Sequence, residues 1–88
     1  MRVGVNLVLL NVFAKTAGVI ESEIAGDFNG WNGETIFKLT NGQIWQQAEY
    51  DYEFEYAFQP EVTIYKAGGG YKMKVEGMDD TIYVRRIK

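Results

Sequence analysis

Hydrophobic and polar positions alternate along most of the chain. In residues 34–40, Thr35, Phe37 and Leu39 share one side, with Ile36 and Lys38 on the other. Asn41-Gly42 follows, and Asn-Gly between two alternating runs predicts a type I′ hairpin, because that turn needs positive φ at both central positions. The return strand begins at Gln43-Ile44-Trp45-Gln46-Gln47, where Gln43, Trp45 and Gln47 share a side. Residues 50–58 carry the clearest period: Tyr50, Tyr52, Phe54, Tyr56 and Phe58 alternate with Asp51, Glu53, Glu55 and Ala57. A period of two sustained over this length excludes an amphipathic helix. The middle three rings, Tyr52, Phe54 and Tyr56, are read as the inward face of a strand that Gln59-Pro60 ends, since proline cannot donate to a central ladder, with Tyr50 and Phe58 partly exposed at its ends; a stacking platform for bases or sugars is the alternative. Three further pieces follow: residues 61–66 with Val62 and Ile64 inward, residues 71–76 with Tyr71, Met73 and Val75 inward, and residues 81–87 with Ile82 and Val84 on one side. Gly68-Gly69-Gly70 and Gly77 punctuate them as turns.

Short strands at regular spacing, with no helical period between them, predict an all-β fold. An open sheet of this size leaves two edges and an uncovered apolar face. The expectation is therefore a small SH3-like barrel of five to six antiparallel strands. An OB-like barrel is the second choice, because it usually places a helix between strands. Residues 19–88 form the single barrel domain. Residues 1–18 form an apolar N-terminal segment that adds a strand or a short helix. There, Arg2 precedes an apolar run broken by Gly4, Asn6 and Asn11. The run is too short to span a bilayer and reads either as a degenerate export signal or as a dimerisation element in which Val3, Val5, Leu7 and Leu9 alternate. If retained, the segment implies a cytoplasmic protein; if it acts as a signal, an exported one.

Composition narrows the chemistry. The chain has 88 residues, enough for one domain, and contains neither Cys nor His. Disulfides, thiolate nucleophiles, Cys or His metal sites and imidazole bases are excluded. Ser22 is the only serine. The net charge is −3 and unevenly spread. Residues 1–61 hold three bases against nine acids, and residues 62–88 six bases against three acids. The balance argues against a nucleic-acid partner. The simplest use of the asymmetry is cross-strand pairing, with Asp51, Glu53 and Glu55 beside Lys72 and Lys74. As a row of carboxylates about 6.5–7 Å apart, those three acids read as a solvated outer face. A catalytic pair would need a cleft and unequal surroundings. Gly68-Gly69-Gly70 lacks the Lys-Ser/Thr of a phosphate loop. No cofactor is expected.

Gly26-Asp27-Phe28-Asn29-Gly30-Trp31 resembles the Gly-Asp-Phe-Asn-x-Trp stretch of the glycogen- and starch-associated β-sandwich modules. Trp45 stands where a second stacking indole would serve. The resemblance implies a carbohydrate site in which Trp31 and Trp45 stack on sugar rings and Asn29 binds hydroxyl groups; separately, Gln43 and Gln47, on the strand face of Trp45, either line a shallow binding patch with it or are capped by the N-terminal segment. The competing reading is a tight glycine-rich loop with Phe28 and Trp31 folded over the barrel mouth.

A longer pattern runs through Gly26-Asp27-Phe28-Asn29-Gly30-Trp31-Asn32-Gly33, then Glu34-Thr35-Ile36-Phe37-Lys38-Leu39-Thr40-Asn41-Gly42-Gln43-Ile44-Trp45-Gln46-Gln47. Gly69-Gly70-Tyr71-Lys72-Met73-Lys74-Val75-Glu76-Gly77 and Ile82-Tyr83-Val84-Arg85-Arg86 continue it. This pattern resembles a family of small bacterial all-β domains without an assigned activity, some free-standing behind a signal peptide and some at the ends of longer chains. The resemblance transfers no catalytic residue. The reading that follows is a non-enzymatic interaction or accessory module. It acts by a surface, as a homo-oligomer or with a protein partner. A carbohydrate-binding module is the alternative.

Overall fold

The computed structural model describes residues 18–88, and every named element among them is a strand. In chain order these are β1 (Val19–Glu23), β2 (Asp27–Phe28), β3 (Ile36–Lys38), β4 (Ile44–Gln47), β5 (Ala57–Phe58), β6 (Glu61–Ala67), β7 (Gly70–Val75) and β8 (Thr81–Arg86). Six of them build one antiparallel sheet in the order β1-β6-β7-β8-β4-β3, and β2 pairs with β5 in a small second sheet. The apolar segment assigned to strand, helix, signal or dimerisation element lies almost wholly outside the described residues.

The all-β expectation holds, and the sheet is not closed as a continuous ladder. Its edge strands β1 and β3 approach at a single bridge, Ile24–Leu39. Two main-chain hydrogen bonds flank the bridge: Ala25 N–H donates to Lys38 O at 2.8 Å and Thr40 N–H to Glu23 O at 2.8 Å. The curl this requires is the ordinary right-handed twist of short antiparallel strands.

The concave face holds the core. Val62 and Ile64 of β6, Met73 and Val75 of β7, Ile82 and Val84 of β8 are all buried, as their alternation predicts. Phe37 and Trp45 come from the β3–β4 hairpin, and Phe28 and Trp31 join the same buried cluster, meeting edge to face with centroids 6.4 Å apart. A buried Trp removes some 150–250 Å² from water, worth on the order of 4–6 kcal/mol before entropy is charged against it. Two such residues and Phe37 leave a domain of this size little interior for anything else.

Two turns exchange the expected chemistry. Asn41-Gly42 does not form a two-residue type I′ turn. Leu39 N–H donates to Gln43 O, Gly42 N–H donates to Leu39 O, and only Gly42 has positive φ, at 91°. This is the three-residue loop with a glycine bulge. The two-residue turn with both central φ values positive is at Gly68-Gly69, at 55° and 87°, between the paired Ala67 and Gly70.

The main correction concerns residues 50–58. They are not a regular strand of the main sheet. After β4 the chain leaves the sheet, bridges once through Glu53 to Trp31, and becomes strand again only at β5. The three rings expected in the interior, Tyr52, Phe54 and Tyr56, are outside, and together with Tyr50 and Phe58, expected to be partly exposed, they are 57–85% exposed. Asp51, Glu53 and Ala57 are the partly buried members. The pairing of that acidic row with Lys72 and Lys74 does not form, because β7 lies between β6 and β8. Lys72 instead sits over the Tyr83 ring, 4.8 Å from its centroid, and Lys74 donates to the Met78 carbonyl.

Candidate functional site

The exposed segment rests on a polar frame built largely from residues proposed above as ligand contacts. Gln47 is 3% exposed and spends its whole amide on the main chain. Its Oε1 accepts from Gly33 N–H at 2.8 Å and from Thr35 N–H at 3.3 Å. Its Nε2 donates to Glu49 O at 3.0 Å and to Asp51 O at 2.9 Å. One buried side chain therefore ties the 32–35 turn to the start of the aromatic segment. A buried amide is stable only when its donors and acceptors are met in this way.

Trp31 supplies the second tie. Its indole is 2% exposed, and Nε1 donates to Asp51 Oδ2 at 3.0 Å. Its main chain exchanges two hydrogen bonds with Glu53, at 2.9 and 3.0 Å. Gly30, just before it, has φ of 92° and passes so close to the segment that a Cβ there would lie 2.0 Å from Glu53 O. Only glycine satisfies both demands. A third tie is Tyr56, whose hydroxyl donates to Asp27 Oδ1 at 2.8 Å. That hydrogen bond, then partial burial and the Asp27 charge, hold the Tyr56 phenol above its ordinary pKa.

The five residues put forward for carbohydrate thus separate. Trp31 and Trp45 are buried, Trp45 at 1% exposure with Nε1 donating to Gln43 Oε1 at 2.9 Å. A sugar ring needs an accessible aromatic face, and neither indole offers one. Gln47 is committed to internal hydrogen bonds through both amide atoms, and Gln43 through its Oε1. Asn29 alone is exposed, on the rim of a groove of about 370 Å³ that Tyr52, Glu53 and Phe54 help to line. The reading of Phe28 and Trp31 as a folded-over glycine-rich loop matches their burial.

What the sequence reading missed is the aromatic row itself. Its period was visible; its direction was not. A usable signal was the number of competing rings, since Trp31, Trp45, Phe28 and Phe37 already occupy the interior. No family model, curated protein or solved structure matches the chain.

The electrostatics around the row are one-sided. Glu49, Asp51, Glu53, Glu55 and Glu61 lie within residues 49–61, and that stretch contains no base. Glu53 Oε1 is buried without a hydrogen-bond partner. Burial first, then the charges of Asp80, Asp51 and Asp79, push the Glu53 carboxyl above its ordinary pKa. Among the described residues, no cluster of three or more His, Cys, Asp or Glu is placed to hold a metal ion, and no helix is long and apolar enough to cross a membrane. An acidic surface studded with five rings can bind.

Proposed function

We propose that this protein is a non-enzymatic interaction module whose contact surface is the aromatic row of residues 50–58. The carrying observation is the exposure of five large aromatic side chains on one short segment. Leaving such a side chain in water forgoes roughly 1.5–3 kcal/mol compared with burying it. Exposed large apolar side chains gathered on one short segment of a small domain mark an interaction site. Tyr and Phe supply wide contact area with few rotatable bonds, which is why aromatics are enriched in interfaces and their energetic centres. The frame of Gln47, Trp31 and Gly30 holds the segment in place before any partner arrives, and this lowers the ordering cost of binding. An SH3-like curled sheet is the scaffold we infer, supported by the approach of β1 to β3.

The test is a photo-crosslinker at position 54, with the partner then purified and titrated. Wild-type protein should bind it, and the double variant Tyr52→Ser, Phe54→Ser should lose at least tenfold in affinity with its unfolding midpoint preserved. Undiminished binding by the folded double variant would overturn the assignment.

A carbohydrate remains a second reading because Asn29 and the rings of Tyr52 and Phe54 share one groove. Aromatic faces with an amide at the rim suit a sugar. A glycan array with Phe54→Ser as control decides it: no signal above the variant rejects this reading and leaves the first untouched.

A further inference from the structure

The groove that Tyr52 and Phe54 help to line combines rings and acids without a base, and this deepens the reading just given, on which it rests. Its volume of about 370 Å³ gives room for side chains, not for a folded surface. Tyr52 and Phe54, 69% and 74% exposed, supply accessible ring faces, and Ile36, 45% exposed, adds an apolar one. Asp27 and Asn29 are exposed in the same lining. The Asp27 carboxylate gives Oδ1 to the Tyr56 hydroxyl, and among the described residues nothing holds the Asn29 side-chain amide. Among the described residues, no Lys or Arg lines the groove. The stretches that form it are without one as well. Residues 24–37 carry Asp27 and Glu34 and no base, and residues 49–61 carry five acids and no base.

We infer that this groove binds an arginine side chain presented by a basic segment of a partner protein. Charge decides the class. An anion would meet acids from both stretches and no cation, whereas a guanidinium meets carboxylates and ring faces together. The guanidinium is planar and weakly hydrated, so it lies on Tyr and Phe faces while its N–H groups donate to a carboxylate or amide oxygen. The protein already makes the first kind of contact within itself, with Lys72 Nζ 4.8 Å from the centroid of the Tyr83 ring. The exposed Ile36 suits the aliphatic stem of an arginine. The length of the ligand follows from what lies outside the groove. Tyr50, Tyr56 and Phe58 are exposed on the same segment, and Glu49, Glu55 and Glu61 extend its acidic field. A free small cation would leave all of these unused; a basic peptide segment engages them.

The experiment titrates the full chain with capped peptides Ala-X-Ala-X-Ala, in which X is arginine, lysine, citrulline or glutamate, and follows amide chemical shifts residue by residue. Citrulline keeps the shape of arginine and removes its charge. The arginine peptide should bind at least tenfold more tightly than the citrulline and glutamate peptides, and more tightly than the lysine peptide. It should shift the amides of Asn29, Gly30, Tyr52 and Phe54, and added salt should weaken it. Asp27→Asn keeps an acceptor for the Tyr56 hydroxyl and should lose about threefold in affinity. The double variant Tyr52→Ser, Phe54→Ser should lose at least tenfold, with its unfolding midpoint preserved. Equal binding of the arginine and citrulline peptides would overturn the cation assignment; a loss in the double variant would then still leave the aromatic surface as the contact. Equal binding of the lysine peptide would overturn the preference for a guanidinium. Undiminished binding by the folded double variant would instead overturn the surface itself. No binding of the arginine peptide at millimolar concentration overturns the arginine site alone, because a partner crosslinked at position 54 would still support the surface. A dimer in sedimentation that Phe54→Ser dissolves overturns the foreign partner, since the groove would then serve a second copy.

Discussion

The indole of Trp31 donates to the carboxylate of Asp51 across a separation of 20 residues in sequence, at 3.0 Å. It joins a buried core ring to the segment that carries the exposed ones. Replacing Trp31 with Phe keeps an aromatic body and removes the donor. The expected loss is about 1–3 kcal/mol, the usual range for a part-buried hydrogen bond to a charged group. Urea unfolding of Trp31→Phe, Asp51→Ala and the double variant checks it. The double variant should cost less than the two singles together; strict additivity would mean the pair is not coupled.

Gln47→Leu removes the amide that joins two stretches of main chain. Gly33 and Thr35 lose an acceptor, and Glu49 and Asp51 lose a donor. Each part-buried group left unmet costs roughly 1–3 kcal/mol. A total loss of about 3 kcal/mol or more is expected, with faster amide exchange confined first to residues 33–35 and 49–52. A change below 1 kcal/mol would show that water replaces the amide readily.

Two glycines with similar backbone angles should respond differently to alanine. At Gly26, φ is 81° and a Cβ meets nothing within 4 Å. Only the left-handed strain remains, about 1–2 kcal/mol. At Gly30 the added Cβ also collides with the Glu53 carbonyl. Gly30→Ala should therefore cost at least about 3 kcal/mol, or detach the aromatic segment from the core. Parallel thermal melts of the two variants compare them directly.

Glu53 predicts a pH dependence. Its carboxyl is held above the ordinary value by burial and by Asp80, Asp51 and Asp79, so the folded state binds its proton more tightly than the unfolded state. Stability linked to this group is fully present in acid. It falls as pH rises from the ordinary carboxylate range through the raised folded value. Glu53→Gln should be the more stable protein at pH 7, with the difference shrinking toward pH 4. Urea midpoints of both proteins across that range measure it. A gap that widens in acid would contradict the assigned direction.

Much of the fold was legible in the chain. The inward sets of β6, β7 and β8 follow directly from alternation, because a strand directs neighbouring side chains to opposite faces. The β3–β4 hairpin was placed, though its loop has three residues instead of two. Residues 50–58 show the limit. Their alternation is as regular as that of β7, yet their rings face water while Met73 and Val75 are buried. The candidate site suffered the same inversion: Trp31 and Gln47, expected to contact ligand, form the frame, and the segment thought to fill the core is what the frame presents.

Period is a local property, set by backbone geometry over a few residues, and the chain determined it without help from the rest of the molecule. So, too, were the punctuating glycines and the exclusion of thiol and imidazole chemistry. Which face of a segment turns inward is a competition for one shared interior. Two indoles and the residues of the sheet filled that interior, and the rings of 50–58, tied from the opposite side by Asp51 and Glu53, were left facing solvent. Only the packed tertiary structure can settle such a contest, because its outcome depends on volumes contributed from distant parts of the sequence.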